Sequence, residues 1–307
     1  MGGLGLMLRR RAIQAHPTIS EGGYILSPDK GDSEVFRILM EKGVSSDGVG
    51  ITKEDAEKVT SIGYWFQNNT AIRNFDEFRF FTNVTALDYR AFMNCTNLKS
   101  IEMPDSITSV GYVNLSYGSF RGCSALERIK LSEHLQEIKA VTFVNCASLK
   151  EINLDNVESI GDEAFAKAGL QGVELSLPKL VTMGKRSFEQ TGIVKITDLG
   201  KITKVGLGAK PDGINSLGTF NKCANLKEAH LSELVTFIPM ACFKNCTSLE
   251  SMFILAIEPP TMENADALTN TNNCSIYVPD ASVGAYKTAS NWSSYADRIK
   301  PLSEYQR

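Results

Sequence analysis

The sequence predicts a solenoid in which coils of about 23 residues stack side by side, each with short parallel strands and a tight turn. Three observations indicate this fold. A phenylalanine recurs at intervals of 28, 23, 22, 23, 32 and 23 residues, a small residue (most often cysteine) follows three positions later, and in most coils a leucine follows three positions after that. The recurring phenylalanines are Phe92, Phe120, Phe143, Phe165, Phe188, Phe220 and Phe243.

The coil that begins at Phe143 shows why such units must stack. Ile152 and Leu154 alternate with the polar Asn153, which is the period of two that a β-strand requires. The preceding Phe-x-x-Cys-x-x-Leu spacing places three apolar side chains on one face of a tight helical or 3₁₀ turn. One coil alone cannot bury these side chains, whereas coils stacked at the strand spacing of ~4.8 Å bury each row against its copies.

The cysteines share one position of the coil, and we expect them to be packed, free thiols. Ala168 and Thr191 replace cysteine in two coils, so the position selects a small side chain. Disulfides are not expected, since stacked side chains point in parallel, and the sequence lacks the C-x-x-C spacing of zinc sites. The cysteines at this position are Cys95, Cys123, Cys146, Cys223 and Cys246.

Four segments are predicted along the chain: a disordered tail at 1–32, a helical N-terminal cap at 33–62, the repeat array at 63–262 and a C-terminal cap at 263–307. In the N-terminal cap, apolar residues at helical spacing follow Ser33, which suits a helix N-cap. In the C-terminal cap, Tyr286, Trp292 and Tyr295 are expected to plug the last coil, with a sugar-stacking site as the alternative.

Composition and charge exclude several classes of function. The formal net charge of −3 argues against a nucleic-acid binder or a protein that binds anionic membranes. No apolar run approaches the ~20 residues of a membrane span, and the N-terminal charges follow a short apolar stretch, the reverse of a secretory signal. The three histidines are far apart, and no nucleophile has a base at a motif spacing. We therefore expect neither catalysis nor a cofactor.

Two groups of residues are candidates for binding a partner. The first is the outward-facing row of the main sheet, in which Phe253 is expected to be an exposed hydrophobe. This row consists of Glu102, Lys130, Asn153, Glu174, Thr197, His230 and Phe253. The second is a pair of insertions at the same point of the coil, since loops on one edge of a solenoid often bind partners. Their candidate residues are Tyr112, Asn114, Tyr117, Lys210, Asp212 and Asn215.

The repeat A-F-x-x-C-x-x-L-x-x-I-x-L resembles the BspA-like leucine-rich repeats of surface proteins from gut and oral Bacteroidetes. AFMNCTNLKSIEMPDSITSVG at 91–111 and ACFKNCTSLESMFI at 241–254 show it best, and the resemblance covers about 63–303. It implies a right-handed leucine-rich repeat solenoid without enzymatic activity, placed outside the cell or on its surface, where it binds a host or matrix protein or a glycan. The sequence departs from the pattern at Asp198, which replaces the strand leucine, and at the two insertions.

Two functional hypotheses remain open at this point. The first is a non-enzymatic binding or adhesion protein that presents an extended solenoid surface to a protein or glycan. The alternative is a structural or assembly component of a cell envelope or prophage virion, without a dedicated ligand. The full repeat array favours the first hypothesis. The MLRRR segment near the N-terminus suggests the second.

Overall fold

The computed structural model describes residues 23–111, 117–206 and 218–306. In these residues two short helices precede a stack of coils, and a third helix lies beyond it. The helices are α1 (Ser33–Glu41), α2 (Lys53–Glu57) and α3 (Val283–Thr288). The 3₁₀ segments are Asp76–Phe80, Ala265–Leu268, Asp280–Ser282, Trp292–Arg298 and Leu302–Glu304.

The coils contribute one strand each to a parallel array that we call the front sheet. Its first part has four strands: Asn74–Phe75, Ser100–Glu102, Arg128–Lys130 and Glu151–Ile152. Its second part has six strands: Glu174–Ser176, Lys195–Asp198, Glu228–Leu231, Ser251–Ile254, Ser275–Val278 and Ile299–Pro301. Every pairing between these strands is parallel, which confirms the predicted solenoid.

A second row of two-residue strands runs along the opposite side of the coils, and we call it the back row. These strands also pair in parallel, each with the strand of a neighbouring coil. They are Ala86–Leu87, Ser109–Val110, Glu137–Ile138, Ser159–Ile160, Thr182–Met183, Phe237–Ile238 and Thr261–Met262. The back row corresponds to the second apolar pair of each repeat.

The front sheet divides in two because one coil carries an extra residue before its strand. Glu151 opens its strand eight residues after Phe143, whereas Glu174 opens the next strand nine residues after Phe165. The added length shifts the register, so that Glu174 pairs with Lys195 and not with Thr197. Glu174 therefore lies outside the row of outward-facing residues predicted for it.

Ser176 occupies the place in that row which the sequence assigned to Glu174. Ser176 lies between the buried Leu175 and Leu177, as Asn153 lies between Ile152 and Leu154 in the preceding coil. In the next coil a register shift between Ile196 and Asp198 lets the buried Leu199 take the inward position. Both departures are one-residue changes, which the repeat tolerates within a coil.

The phenylalanines form a continuous stacked column through the core. Neighbouring rings lie with centroids 5.1 to 5.7 Å apart and planes within 14° of parallel. The column begins at Phe66, one coil before the first phenylalanine of the repeat pattern, and it continues across the 32-residue interval from Phe188 to Phe220. The inserted residues therefore leave the stacking of the core intact.

The cysteines are all buried and free, which confirms the prediction of packed thiols. The thiols of the cysteine column also donate hydrogen bonds to backbone carbonyls of the preceding coil, which the sequence pattern does not predict. Cys123 Sγ lies 3.0 Å from the carbonyl oxygen of Phe92 in the preceding coil, and Cys146 Sγ lies 3.2 Å from that of Phe120. In the coils that carry a cysteine at this position, the thiol therefore ties the coil to its predecessor in addition to filling space.

Asp32 joins the helical segment to the first strand of the front sheet. One carboxylate oxygen accepts hydrogen bonds from the first turn of α1 at 2.9 and 3.1 Å, so Asp32 and not Ser33 is the N-cap. The other oxygen accepts from the backbone N–H groups of Arg73 and Asn74 at 2.8 and 3.1 Å. A single carboxylate thus satisfies donors at a helix start and at a sheet edge.

The predicted disordered tail at 1–32 lies outside the described residues as far as residue 22. Beyond that point Ile25 and Leu26 are buried, and Leu26 forms an antiparallel bridge with Ile51. Burial of this apolar pair orders the segment that leads into α1.

The aromatic residues after the array seal the last coils. Tyr286 and Trp292 are fully buried, with ring centroids 5.3 Å apart. The Tyr286 hydroxyl donates to the carbonyl of Ala256, and the Trp292 indole N–H donates to that of Pro260, both at 2.7 Å. Tyr286 and Trp292 are therefore packed in the interior as predicted and cannot stack on a sugar, whereas Tyr295, the third residue of the predicted plug, is only half-buried.

Candidate functional site

The side chains of the outward-facing row differ in exposure and in bonding from one end of the front sheet to the other. At the N-terminal end, they are engaged in ion pairs. Glu102 is only 4% exposed and accepts from Arg128 at 3.0 Å and from Arg79 at 3.4 Å. Arg128 also contacts Asp76 at 2.6 Å. Burial alone lowers the pKa of Arg128, but the two carboxylates outweigh it and raise the pKa above its usual value. Glu102 is therefore occupied within the molecule.

Two polar members of the row extend the hydrogen bonding between coils. Asn153 accepts from the backbone N–H of Leu131 at 2.7 Å and donates to its carbonyl at 3.2 Å. The Thr197 hydroxyl donates to the carbonyl of Leu175 at 3.0 Å, although Thr197 itself is exposed. These side chains continue the ladder where the backbone strands are short, which gives them a structural role.

The centre of the row remains open to solvent. Within the row Lys130 is half-buried, and Ser176 and Thr197 are exposed; Glu174 is also exposed, at the start of its strand and outside the row. Among the described residues, no ion pair within 4 Å involves Lys130 or Glu174. Lys130 and Glu174 therefore present charges of opposite sign that no described side chain neutralises at contact distance, whereas Lys195 on the next strand is paired with Glu228.

At the C-terminal end an aromatic ladder covers the row. We give this name to His230, Phe253 and Tyr277, whose rings stack at 4.4 Å and 5.2 Å between centroids with planes within 17° of parallel. Tyr305 stands edge-on against both Phe253 and Tyr277. As a result Phe253 is only 5% exposed, and the prediction that it is an exposed hydrophobe is wrong.

His230 also takes part in a short polar chain beside the aromatic ladder. Glu228 accepts from Lys195 Nζ at 2.7 Å and contacts His230 Nε2 at 2.5 Å. Burial by itself raises the pKa of the Glu228 carboxyl. The hydrogen bonds from Lys195 and His230 lower that pKa by more, so it lies below its usual value. The same bond raises the pKa of Lys195. Glu228 is thus held ionised between two cationic or donor groups.

Sequence reasoning missed three residues that shape this surface. Tyr277 lies in a stretch that alternates Ile276, Tyr277 and Val278, and this period of two could have added it to the row. Arg79 and Tyr305 belong to segments outside the repeat, before and after the array. Arg79 and Tyr305 reach the sheet because the chain folds back on it, and such contacts between distant segments cannot be predicted from a local sequence pattern.

Of the candidate insertion residues, Tyr112, Asn114, Lys210, Asp212 and Asn215 lie outside the described residues. Tyr117 is described and belongs to a group that we call the tyrosine ridge: Tyr64, Tyr89 and Tyr117. Ring centroids in the ridge are 5.5 Å apart from Tyr64 to Tyr89 and 5.7 Å apart from Tyr89 to Tyr117.

Two properties of the described residues bear on the chemistry of this surface. Within the described residues, no three histidine, cysteine or acidic side chains lie together as ligands for a metal ion. Burial raises the pKa of the Cys146 and Cys242 thiols well above its usual value, which keeps them protonated and poor nucleophiles. In the described part of the chain, no helix is both long and apolar enough to cross a bilayer.

Comparison with solved structures agrees with a leucine-rich repeat fold. A leucine-rich repeat protein from Bacteroides ovatus is 24% identical with a TM-score of 0.53, over 64% of this chain and 48% of its own, so the chain spans about half its length. A leucine-rich repeat protein from T. pallidum is 20% identical, with a TM-score of 0.33 over 71% and 79% of the two chains. One from Eubacterium ventriosum is 17% identical, with a TM-score of 0.41 over 70% and 60%.

The family assignment rests on the repeat itself. No curated protein sequence matches the chain. The family model described as "BspA type Leucine rich repeat region (6 copies)" matches residues 112–209 and 211–284, more than half of the sequence. With the stacked coils and the repeated Phe-x-x-Cys-x-x-Leu turn, this match shows that the chain belongs to the BspA type leucine-rich repeat family.

Proposed function

We propose that this chain is a non-enzymatic binding protein that docks a protein partner on the centre of its front sheet. The observation that carries the proposal is the difference between the centre of the sheet and its ends. Ion pairs occupy Glu102 at one end and aromatic contacts cover Phe253 at the other. Lys130 and Glu174 lie between them without an ion pair among the described residues.

The chemistry of this central surface suits a protein better than a glycan. Its neighbouring strands carry both signs of charge: Lys130 is followed by Glu151 and Glu174, and then by Lys195, which is paired with Glu228. Complementary charges of both signs steer a protein partner and fix its orientation. Solenoids use such extended faces for recognition, and a stack of parallel strands holds the side chains at fixed spacing, which limits the entropy lost on binding.

The family context supports a place on the cell surface. BspA type leucine-rich repeats are typical of cell-surface proteins, so the partner in this proposal is a host or matrix protein. Adhesion would use the front sheet as a contact surface and would need no catalytic group. The proposal therefore requires only that the central charges remain accessible.

A binding screen with a charge-reversal variant tests the proposal. The full chain is applied to an array of extracellular-matrix proteins, with a glycan array in parallel, and hits are measured by surface plasmon resonance. Combined Lys130→Glu and Glu174→Lys substitution keeps the net charge and should weaken binding by roughly tenfold or more. Glu258→Lys, an exposed residue in the loop after the strand Ser251–Ile254, is the matched control.

The outcomes separate the hypotheses. Loss of binding in the double variant with retention in the control supports the proposal. Binding that survives the double variant contradicts docking at the centre of the sheet. If no array component binds and the purified chain assembles into larger particles, a structural or assembly role replaces the proposal.

A further inference from the structure

The tyrosine ridge belongs to the first coils alone. Tyr89 and Tyr117 each stand three residues before a phenylalanine of the core column. The corresponding positions before Phe143, Phe165, Phe188 and Phe243 hold Ala140, Asp162, Lys185 and Met240. Tyrosine at this position is therefore not required by the repeat, and its recurrence in neighbouring coils needs another explanation.

Arg90 packs against two rings of the ridge, and the third ring, that of Tyr64, is exposed. The Arg90 guanidinium lies 3.7 Å from the centroid of the Tyr117 ring and 5.2 Å from that of Tyr89, within cation–π range of both. Tyr64 packs edge-on against Tyr89 and is 44% exposed. Rings fixed in this way lose little freedom when a ligand stacks on them.

A groove of about 360 Å³ lies beside the ridge, at the N-terminal end of the back row. Its floor includes Ala86 and Ser109, which face each other in the register of two paired strands. These small side chains leave the floor flat. The wall is formed by Tyr89, and the lining is rich in hydroxyl groups. Thr60, Ser61, Thr85 and Ser109 supply these hydroxyls.

Asp88 is the one charged residue among the described residues that line the groove. At one margin Lys139 Nζ donates to Ser109 Oγ at 3.2 Å, so Ser109 accepts that bond and keeps its own hydroxyl hydrogen for another acceptor. A carboxylate accepts hydrogen bonds from hydroxyl groups and repels anions. With the carboxylate of Asp88 in the lining and the ammonium of Lys139 at the margin, the groove has no excess of one sign and favours a ligand that is uncharged and rich in hydroxyls.

We propose that this groove and the tyrosine ridge bind an uncharged saccharide. A pyranose ring has an apolar face that can lie on an aromatic ring, and its hydroxyls match the serine, threonine and aspartate groups of the lining. The volume falls in the range of small-ligand pockets. The site lies on the back row and does not depend on the proposal for the front sheet.

The test uses the full chain and defined neutral oligosaccharides. Tetrasaccharides of β-1,4-glucose, β-1,3-glucose, N-acetylglucosamine and mannose are screened by saturation-transfer NMR, and hits are titrated by calorimetry. Tetragalacturonate, an acidic saccharide, serves as the ligand control. We expect at least one neutral tetrasaccharide to bind and tetragalacturonate not to bind. Tyr64→Ala and Tyr89→Ala should each weaken binding about fivefold to tenfold.

Matched variants decide the location. Asp88→Asn should weaken binding, while Tyr89→Phe should retain most of the stacking. Tyr305→Ala removes an aromatic side chain from the front sheet and should leave the affinity unchanged. Tyr64→Ala guards against misfolding, because Tyr64 is exposed. The proposal is overturned if no neutral saccharide binds or if saccharide binding survives both tyrosine-to-alanine variants. It is also overturned if these variants weaken the binding of a protein partner and leave saccharide binding unchanged.

Discussion

The ring of Tyr305 stands edge-on against Phe253, with centroids 4.8 Å apart and planes 85° apart. It meets Tyr277 in the same way at 5.1 Å and 69°. Tyr305 lies just after the last strand, Ile299–Pro301, so the end of the described chain returns over the outer face of the front sheet. This contact closes the C-terminal end of the binding row and limits the open surface to the central strands.

Removing this ring should uncover Phe253. We expect Tyr305→Ala to lower the free energy of unfolding by about 1 kcal/mol, since edge-to-face pairs contribute roughly 0.5–1.5 kcal/mol beyond their buried area. The newly exposed aromatic ladder should increase the fluorescence of a hydrophobic dye such as anilinonaphthalene sulfonate. Tyr305→Phe keeps the ring and is the control. Unchanged dye fluorescence in Tyr305→Ala would show that another segment covers Phe253.

The cysteine column predicts a large contrast between two substitutions at one site. Cys146→Asp places a charge among buried apolar groups without a partner and should cost more than ~3 kcal/mol, enough to unfold much of the array. Cys146→Ala loses the weak bond to the Phe120 carbonyl and a small volume, and about 1–2 kcal/mol is expected. Urea unfolding followed by circular dichroism measures both.

Ala168 provides the internal control for this comparison. It occupies the same position of its coil and is buried without a thiol. Ala168→Cys should therefore be tolerated, since the preceding coil already holds Cys146 at the same position. Equal stability of Cys146→Asp and Cys146→Ala would contradict the inward orientation of this column.

The sequence predicts the interior of this protein well because every coil repeats the same packing problem. The positions of Phe143 and Cys146 can be predicted because equivalent residues recur in the other coils, and a residue of the wrong size at either position would leave a cavity in its column. Glu174 was misplaced because one extra residue in a coil changes register without disturbing any apolar position. Phe253 was misjudged because its cover comes from Tyr305, which lies more than fifty residues away. The exposure of outward-facing residues depends on contacts between distant segments, which the local periodicity of the sequence does not predict.

A second repeated feature predicts a stabilising substitution. The residue before the cysteine position has positive φ in every described coil, with asparagine or glycine in several of them. Lys222 adopts φ of 61° there, a left-handed conformation that costs a side chain with a Cβ roughly 1 kcal/mol. We expect Lys222→Gly to raise the free energy of unfolding by up to about 0.5 kcal/mol, because the larger entropy of the unfolded chain offsets part of the relieved strain.

Thermal and urea unfolding of Lys222→Gly against the parent protein measure the gain. Lys227→Gly is the matched control, because Lys227 is an exposed lysine of the same coil that lacks a positive φ. There glycine only adds freedom to the unfolded chain, so stability should fall. A loss of stability in both variants would contradict strain at Lys222.

The contact between α1 and the first coil predicts a dependence of stability on pH. Glu34 accepts from Arg37 Nε at 2.9 Å and Nη2 at 2.8 Å, and from Asn69 Nδ2 at 2.6 Å. The bonds from Arg37, followed by the bond from Asn69, lower the pKa of Glu34 from its usual 4.5 to about 2. A carboxyl whose pKa is lowered on folding stabilises the folded state above its unfolded pKa. That contribution should be lost as the pH falls from about 5 to about 2.

Urea unfolding of the parent and of Glu34→Gln, repeated at several pH values between 2 and 7, isolates this contribution. The parent should be more stable than the variant at pH 7, and the difference should shrink towards pH 2 as Glu34 takes up its proton. Glu54→Gln on α2 is the control, since Glu54 is exposed and has no ion pair among the described residues. A difference between parent and Glu34→Gln that stays constant with pH would show that the carboxylate acts only through packing.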